Sequence, residues 1–366
     1  MENCKICNED RFYKVNFNNI YLRTDSYNKN LHTYESRVCF NCGVVYQFPQ
    51  IKEKTVAKHY ETKSRITKFP IYFEKDNFID FPFQFEQTGI SFQRFFHFYK
   101  IIENNKKEIS DLNFNNSTTI LDYGAYQGAF LYACKKKWGV KTIAYDHNDN
   151  GLKFAKKFLD VDNVYKTKNI NEDVFDEKIN ICTAIQSVEH LFDPLNFLNH
   201  VKKNVLKNHG FIYIEVPSAL TSEYSNPSHL FMYTMDSLRY LFEACGYKII
   251  HLSEEHIYNF KQVRPLKRHV QTMIHCLAST DGVITHNKNY NFGKKILKEI
   301  EISHFKNSNK IFLIKFKQLL RDGFILSYYS VFILIGHLSR KFSLKLFNLT
   351  NKILKKLPML NRLSRK

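Results

Sequence analysis

Residues 119–131 read Thr119-Ile120-Leu121-Asp122-Tyr123-Gly124-Ala125-Tyr126-Gln127-Gly128-Ala129-Phe130-Leu131. An apolar strand runs into a glycine turn, and the turn opens a helix. Ile120 and Leu121 have the character of a buried strand, while Gly124 and Gly128 let backbone approach a ligand and the neighbouring helix. A second acidic strand end follows at Asp146. A carboxylate there can accept hydrogen bonds from two ribose hydroxyls. The dinucleotide fingerprint G-x-G-x-x-G needs glycine where this chain has Tyr126 and Ala129, so close approach of a diphosphate is not provided for. A nucleoside cofactor without a diphosphate fits better, and a hydride-transfer enzyme is the nearest competitor.

From 119 to 252, strand-like apolar runs alternate with helical periods, the pattern of a parallel sheet with helices on both faces. Asp193 before Pro194 predicts a helix N-terminus, with Leu195, Leu198 and Val201 as its apolar stripe. Leu238, Leu241, Phe242 and Cys245 recur at helical spacing and stop at Gly246, a natural C′ residue. Ligands of such sheets sit at the strand carboxyl ends, where Asp122, Asp146 and Gln186 fall.

The segment D-Y-G-A-Y-Q-G resembles motif I of class I S-adenosylmethionine-dependent methyltransferases, with Tyr126 at the usual middle glycine. The resemblance continues in order over residues 90–277. Ile179 to Pro194 is similar to the family's fourth strand and its E-H-L-x-D-P segment, Gly210 to Pro217 to its fifth strand, and His229 to Gly246 to the block that follows. It implies an α/β, Rossmann-like sheet and S-adenosylmethionine as cofactor. Carried onto matching positions, Asp122 and Gly124 would line the methionine end with Gly128 behind them. Asp146 would take the ribose, Asn169 and Ile170 the adenine, and Gln186 and Ser187 would close the cleft above the sulfonium. For Asp146 a helix N-cap is the alternative.

Cys4-x-x-Cys7 and Cys39-x-x-Cys42 are two knuckles 31 residues apart. Two such pairs can bring four thiolates to one tetrahedral ion, a structural zinc site. Arg11 to Val15 and Gly43 to Phe48 alternate like the short strands of a zinc ribbon. Few apolar residues lie in 1–60, so the metal would supply much of that module's folding energy. A disulfide pair or a redox C-x-x-C is the alternative. No apolar leader precedes Cys4, which makes the reducing cytoplasm the expectation. Cys134, Cys182, Cys245 and Cys276 fall in apolar elements and read as core residues.

A four-cysteine module ahead of a class I domain resembles methyltransferases that act on nucleotide-linked or polymer-bound sugars, which implies a saccharide acceptor, lipid-linked ones included. In the sugar C-methyltransferases of that group a Y-H-E-H-L-like segment carries catalytic residues. Here the stretch is Asn226-Pro227-Ser228-His229-Leu230, and only the final His-Leu is kept. O-methylation of a sugar hydroxyl is therefore the expectation. His229 is the first candidate for the base that removes the hydroxyl proton, and His190, beside Glu189, is the second. With 15 histidines in the chain, a packed or capping role is the competing reading for each.

The four-part organisation expected is a zinc ribbon (1–60), a helical connector (61–117), the catalytic domain (118–285) and a basic extension (286–366). Phe92, Phe95, Phe96 and Tyr99 lie at helical spacing in the connector. The net charge is +19, and from residue 286 onward 18 Lys and Arg stand against three acids, Glu299, Glu301 and Asp322. The catalytic region is thus close to neutral. Within the extension, Gly323 to Ser339 carries no charge but at 17 residues is short for a membrane span. The basic amphipathic stretches around it, over 310–366, suit an interfacial helix on anionic lipid at the inner face of the membrane. Packing on the catalytic domain or on a second copy in a homodimer is the other reading. A basic chain with a zinc ribbon also leaves an RNA methyltransferase open, although no stacking platform accompanies the charge.

Overall fold

A computed structural model of the chain describes residues 3–15, 34–53, 90–110, 112–167, 175, 177–221, 228–256, 272–284 and 291–303. The chain forms two compact units, 1–305 and 306–366, and every described residue belongs to the first. Asn169, Ile170 and the basic stretch 310–366 lie outside the described residues.

In chain order the elements are β1 (Phe12–Lys14), β2 (Glu35–Cys39), β3 (Val45–Phe48), α1 (Ile90–Asn104), β4 (Thr119–Tyr123), α2 (Ala129–Trp138), β5 (Lys141–Asp146) and α3 (Asp149–Phe158). There follow β6 (Asn163–Lys166), β7 (Ile179–Ile185), α4 (Pro194–His200), β8 (Leu206–Pro217), β9 (Phe231–Met232), α5 (Met235–Ala244), β10 (Lys248–His256) and β11 (Thr272–Ser279). A further helical segment spans 292–303.

The larger sheet has seven strands in the order β10-β11-β8-β7-β4-β5-β6. Strands β6, β5, β4, β7 and β8 run parallel, and β11 enters antiparallel to both β8 and β10. Because side chains alternate across a strand, each strand feeds two cores. Ile120, Ala144 and Ile181 face one side, packed with Phe95, Phe98, Phe130, Leu131 and Leu152 of α1, α2 and α3. Leu121, Tyr123, Ile143 and Cys182 face the other, packed with Phe197, Leu198, Leu238, Leu241 and Phe242 of α4 and α5. The central strands β4 and β7 are buried on both faces, as a parallel sheet requires, while the edge strand β6 is largely exposed.

Helix ends follow local chemistry. The Asp193 side chain accepts the Asn196 N–H and Pro194 stands in the first turn of α4. Thr234 and Ser237 form a reciprocal capping box at the start of α5. Cys134, Cys182, Cys245 and Cys276 are all buried. The connector aromatics Phe95 and Phe98 pack on Phe130 and Trp138, so α1 is core rather than an open face.

The second sheet has the order β1-β2-β3-β9, and its last strand comes from the catalytic region. Val45 pairs with Met232 and Tyr46 with Phe231. The amino-terminal module therefore does not stand on a small core of its own. Cys4, Ile6, Cys39, Cys42 and Val44 belong to the same buried cluster as Leu230, Tyr233 and Leu241. Val38 and Val45 meet Met232, Ile296 and Ile300 in a third cluster, which ties the helical segment 292–303 to the ribbon.

Candidate active site

The carboxyl ends of β4, β5, β7 and β8 meet along one edge of the large sheet. At the end of β4, Gly124, Tyr126 and Gly128 have φ of 77°, 49° and 73°. A Cβ on Gly124 would sit 2.1 Å from Ser187 Oγ, and one on Gly128 would sit 2.9 Å from Ala155 Cβ. Both positions exclude a side chain by backbone conformation and by space. Tyr126 takes the left-handed conformation that the middle glycine of the motif would supply, so the loop keeps its shape with a bulkier residue.

The loop is held to the Asp146 carboxylate. Asp146 Oδ2 accepts the Tyr126 N–H at 2.8 Å and Oδ1 accepts the Asn148 N–H at 2.7 Å. The N-cap of α3 is Asn148, whose side chain accepts the Gly151 N–H at 2.8 Å. Asp146 is therefore not the cap, and each of its oxygens retains acceptor capacity. Burial raises its pKa, while the two backbone donors pull it down. Asp122 lies deeper. Its Oδ1 accepts the Thr183 hydroxyl at 2.6 Å, and burial pushes its carboxyl up to about 7. Ser187 Oγ donates to Tyr123 O at 2.9 Å, closing the loop after β7 onto the glycine turn. Gln186, at φ 54°, reaches Glu215 Oε1 at 3.3 Å and Met273 Sδ at 3.0 Å through Nε2. Asp122, Gly124, Gly128, Asp146, Gln186 and Ser187 thus share one edge. A glycine-lined turn beside a carboxylate with spare lone pairs fits a cofactor carrying a ribose diol.

Beyond this edge Glu189, His190 and His229 converge, their ligand atoms lying within 4.8 Å of one another. His190 Nδ1 is 2.6 Å from Ser228 O, a contact that needs an N–H, so in the neutral ring the lone pair resides on Nε2. That Nε2 is 3.8 Å from Glu189 Oε1. Glu189 is 1% exposed, and burial pushes its carboxyl up to about 8. Burial, with His190 nearby, takes His229 down to about 3, so its imidazole is neutral at pH 7. The two imidazoles are edge to face at 5.0 Å.

A third group was not legible as a site. Glu215, fully buried in β8, meets Arg94 Nε of α1 at 3.3 Å. His275 Nδ1, 3.9 Å from Glu215, contacts Tyr213 Oη at 2.7 Å, and burial takes His275 down to about 3. The available signal was a lone carboxylate in the apolar run Phe211 to Pro217.

At the ribbon, Cys4 Sγ and Cys42 Sγ are 3.8 Å apart, and Cys7 Sγ and Cys39 Sγ 3.4 Å. Tetrahedral zinc with Zn–S bonds of about 2.3 Å has sulfur–sulfur edges of about 3.8 Å. All four thiols lie within 4.8 Å of one another, and no disulfide joins them. The donor set fits zinc in a closed structural site.

Residues 93–252 match the family described as methyltransferase domain. This segment, a little under half of the chain, is a methyltransferase domain. The match ends within β10 and leaves the ribbon outside it. Solved structures are similar to the chain at low identity and low TM-score. An S-adenosylmethionine-dependent methyltransferase from Aquifex aeolicus is 17% identical with a TM-score of 0.37, over 48% of this chain and 89% of its own. Geranyl diphosphate C-methyltransferase from Streptomyces coelicolor A3(2) is 10% identical with a TM-score of 0.38, over 50% and 81%. No curated protein matches the chain. Among the described residues of the chain, no helix is long and apolar enough to cross a membrane.

Proposed function

We propose that this methyltransferase methylates a hydroxyl of a saccharide or glycoconjugate acceptor, in the manner of surface-glycan biosynthesis. The observation that carries the reading is the cluster of Glu189, His190 and His229 beside the cofactor edge, joined through Ser187 to the glycine turn. When bound, S-adenosylmethionine supplies a methyl group on a sulfonium already activated for displacement. The protein's task is then to align the acceptor and draw off its hydroxyl proton. His190 suits that role better than His229, because its side chain is 20% exposed and its tautomer directs a lone pair away from Ser228. His229 is more enclosed, and its backbone carbonyl is held by Gln47 of the ribbon.

The test is transfer of labelled methyl from S-adenosylmethionine into fractionated cell material. Label in saccharide fractions that boron tribromide releases, as it cleaves methyl ethers, supports sugar O-methylation. Label that resists this treatment indicates C-methylation, and label only in nuclease-sensitive material replaces the reading with RNA methylation. His190→Asn is expected to lower turnover by about 10²- to 10⁴-fold, the usual contribution of a positioned acid–base group.

A further inference from the structure

We propose that Glu189, His190 and His229 hold a divalent metal ion, separate from the four-cysteine cluster. The inference rests on the reading that this cluster faces the acceptor. Its basis is a confrontation of acceptors. A neutral His190 spends its one N–H on Ser228 O, so the atom it turns toward Glu189 carries a lone pair, 3.8 Å from a carboxylate oxygen. Among the described residues, neither oxygen of Glu189 meets a hydrogen-bond donor, and neither does His229 Nδ1. Buried polar atoms ordinarily find partners, and three without one, on two residues of a cluster whose ligand atoms lie within 4.8 Å of one another, need a common explanation. One cation, as an electron-pair acceptor, satisfies all three together, whereas a single proton satisfies one pair.

The details agree with a metal centre. An imidazole that donates its second nitrogen to a backbone carbonyl is the usual way a ligating histidine is oriented. Two imidazoles and one carboxylate suit borderline and harder ions of the first transition row, Mn2+, Fe2+, Co2+ or Zn2+, and leave coordination positions open. With metal–ligand bonds of about 2.1 Å, ligands at cis or tetrahedral positions stand about 3.0–3.4 Å apart, so separations of up to 4.8 Å would close by up to about 1.8 Å on loading. The part-exposed edge of His190 gives an entry path. An acceptor hydroxyl bound at an open position would lose its proton to water more readily, so in the metal-loaded protein His190 would serve methyl transfer as a ligand and the metal would take over the role of its free lone pair.

The full chain, with zinc already bound at the cysteines, is titrated with Mn2+, which disfavours thiolates. Binding is followed by electron paramagnetic resonance, and nitrogen coordination by electron spin echo modulation. One Mn2+ per chain with imidazole nitrogen modulation is expected on the wild-type protein. Glu189→Gln, nearly isosteric, should weaken it at least about tenfold, a loss that second-layer changes alone can reach. His190→Asn should remove part of the modulation, while S-adenosylmethionine binding reports that each variant is folded. Absence of a bound Mn2+, a bound Mn2+ without nitrogen modulation, or binding indifferent to both substitutions overturns the proposal in favour of a proton shared by Glu189 and His190. None of these readouts needs an acceptor, so failure of the saccharide reading leaves the metal result standing.

Discussion

Asp122 shows what a single buried carboxyl does to this site. Its pKa stands at about 7 in the fold, against an ordinary value of 3.8. Between those values the folded chain holds a proton that the unfolded chain releases, so this group's contribution makes stability fall as pH rises. Its cost is absent well below pH 4 and complete above pH 7. Asp122→Asn keeps the Oδ1 acceptor for Thr183 and removes the buried charge. It should therefore raise the melting temperature at pH 8, and the gain should vanish toward pH 4. At about 1.4 kcal/mol per pKa unit the gain is bounded by a few kcal/mol. A gain that persists unchanged at pH 4 would show that burial of charge is not its source. Gly124 supplies a second test at this scale. Gly124→Ala and Gly139→Ala share a left-handed backbone, at φ 77° and 70°, but only the first drives its Cβ onto Ser187. Both should be destabilised by the left-handed penalty of about 1–2 kcal/mol. Only Gly124→Ala should also abolish S-adenosylmethionine binding in calorimetry; equal behaviour would mean that the Ser187 contact is unimportant. These glycines were legible in the sequence because their constraint is local. The isolation of Glu189 was not, since it depends on Ser228 and His229, some 40 residues away in the chain.

The elements were legible where a pattern repeats. The strands β4, β5, β7 and β8 announce themselves as apolar runs, and α4 and α5 by their caps and apolar stripes. The pairing of β3 with β9 does not, because a two-residue strand has no periodicity of its own. It nevertheless has a consequence for the site. Gln47 N–H donates to Leu230 O at 3.1 Å, and Gln47 Nε2 donates to His229 O at 2.7 Å. The chain that carries His229 is thereby suspended from the ribbon by main-chain and side-chain bonds. Gln47 is 1% exposed, and its truncation removes the bond to the part-buried His229 carbonyl, at about 1–3 kcal/mol. Gln47→Ala should lower turnover much more than it weakens S-adenosylmethionine binding, since the cofactor edge at Gly124 and Asp146 lies on other elements. If turnover and cofactor affinity fall together, the ribbon supports the whole fold rather than the acceptor side.

For the described part of the first unit, the question is whether the ribbon and the sheet are one cooperative body. Composition suggested a module dependent on metal, since few apolar residues lie in 1–60. What that reading could not show is that Cys4, Cys39 and Cys42 are themselves part of the core beneath α4 and α5. Such sharing depends on which face the ribbon presents, and cysteine spacing does not encode that. A structural zinc contributes about 10–16 kcal/mol of binding free energy in small zinc-finger peptides, comparable to the whole stability of a domain at about 5–15 kcal/mol. Metal loss should therefore be felt well outside the ribbon. Cys7 is the suitable probe, because it is only partly buried and Cys7→Ser removes one ligand with little loss of packing. The expected result in calorimetry is a single unfolding transition, shifted down by far more than the roughly 1 kcal/mol typical of a point mutation, with methyl transfer lost in parallel. Chelation of the wild-type chain should reproduce it, and zinc should reverse it. Two separate transitions, with the catalytic one unmoved, would instead make the ribbon an appendage whose metal has no bearing on the sheet. The shared β3–β9 pairing and the common core favour the single transition, because unfolding the ribbon would expose Leu230, Tyr233 and Leu241 to water along with its own cysteines.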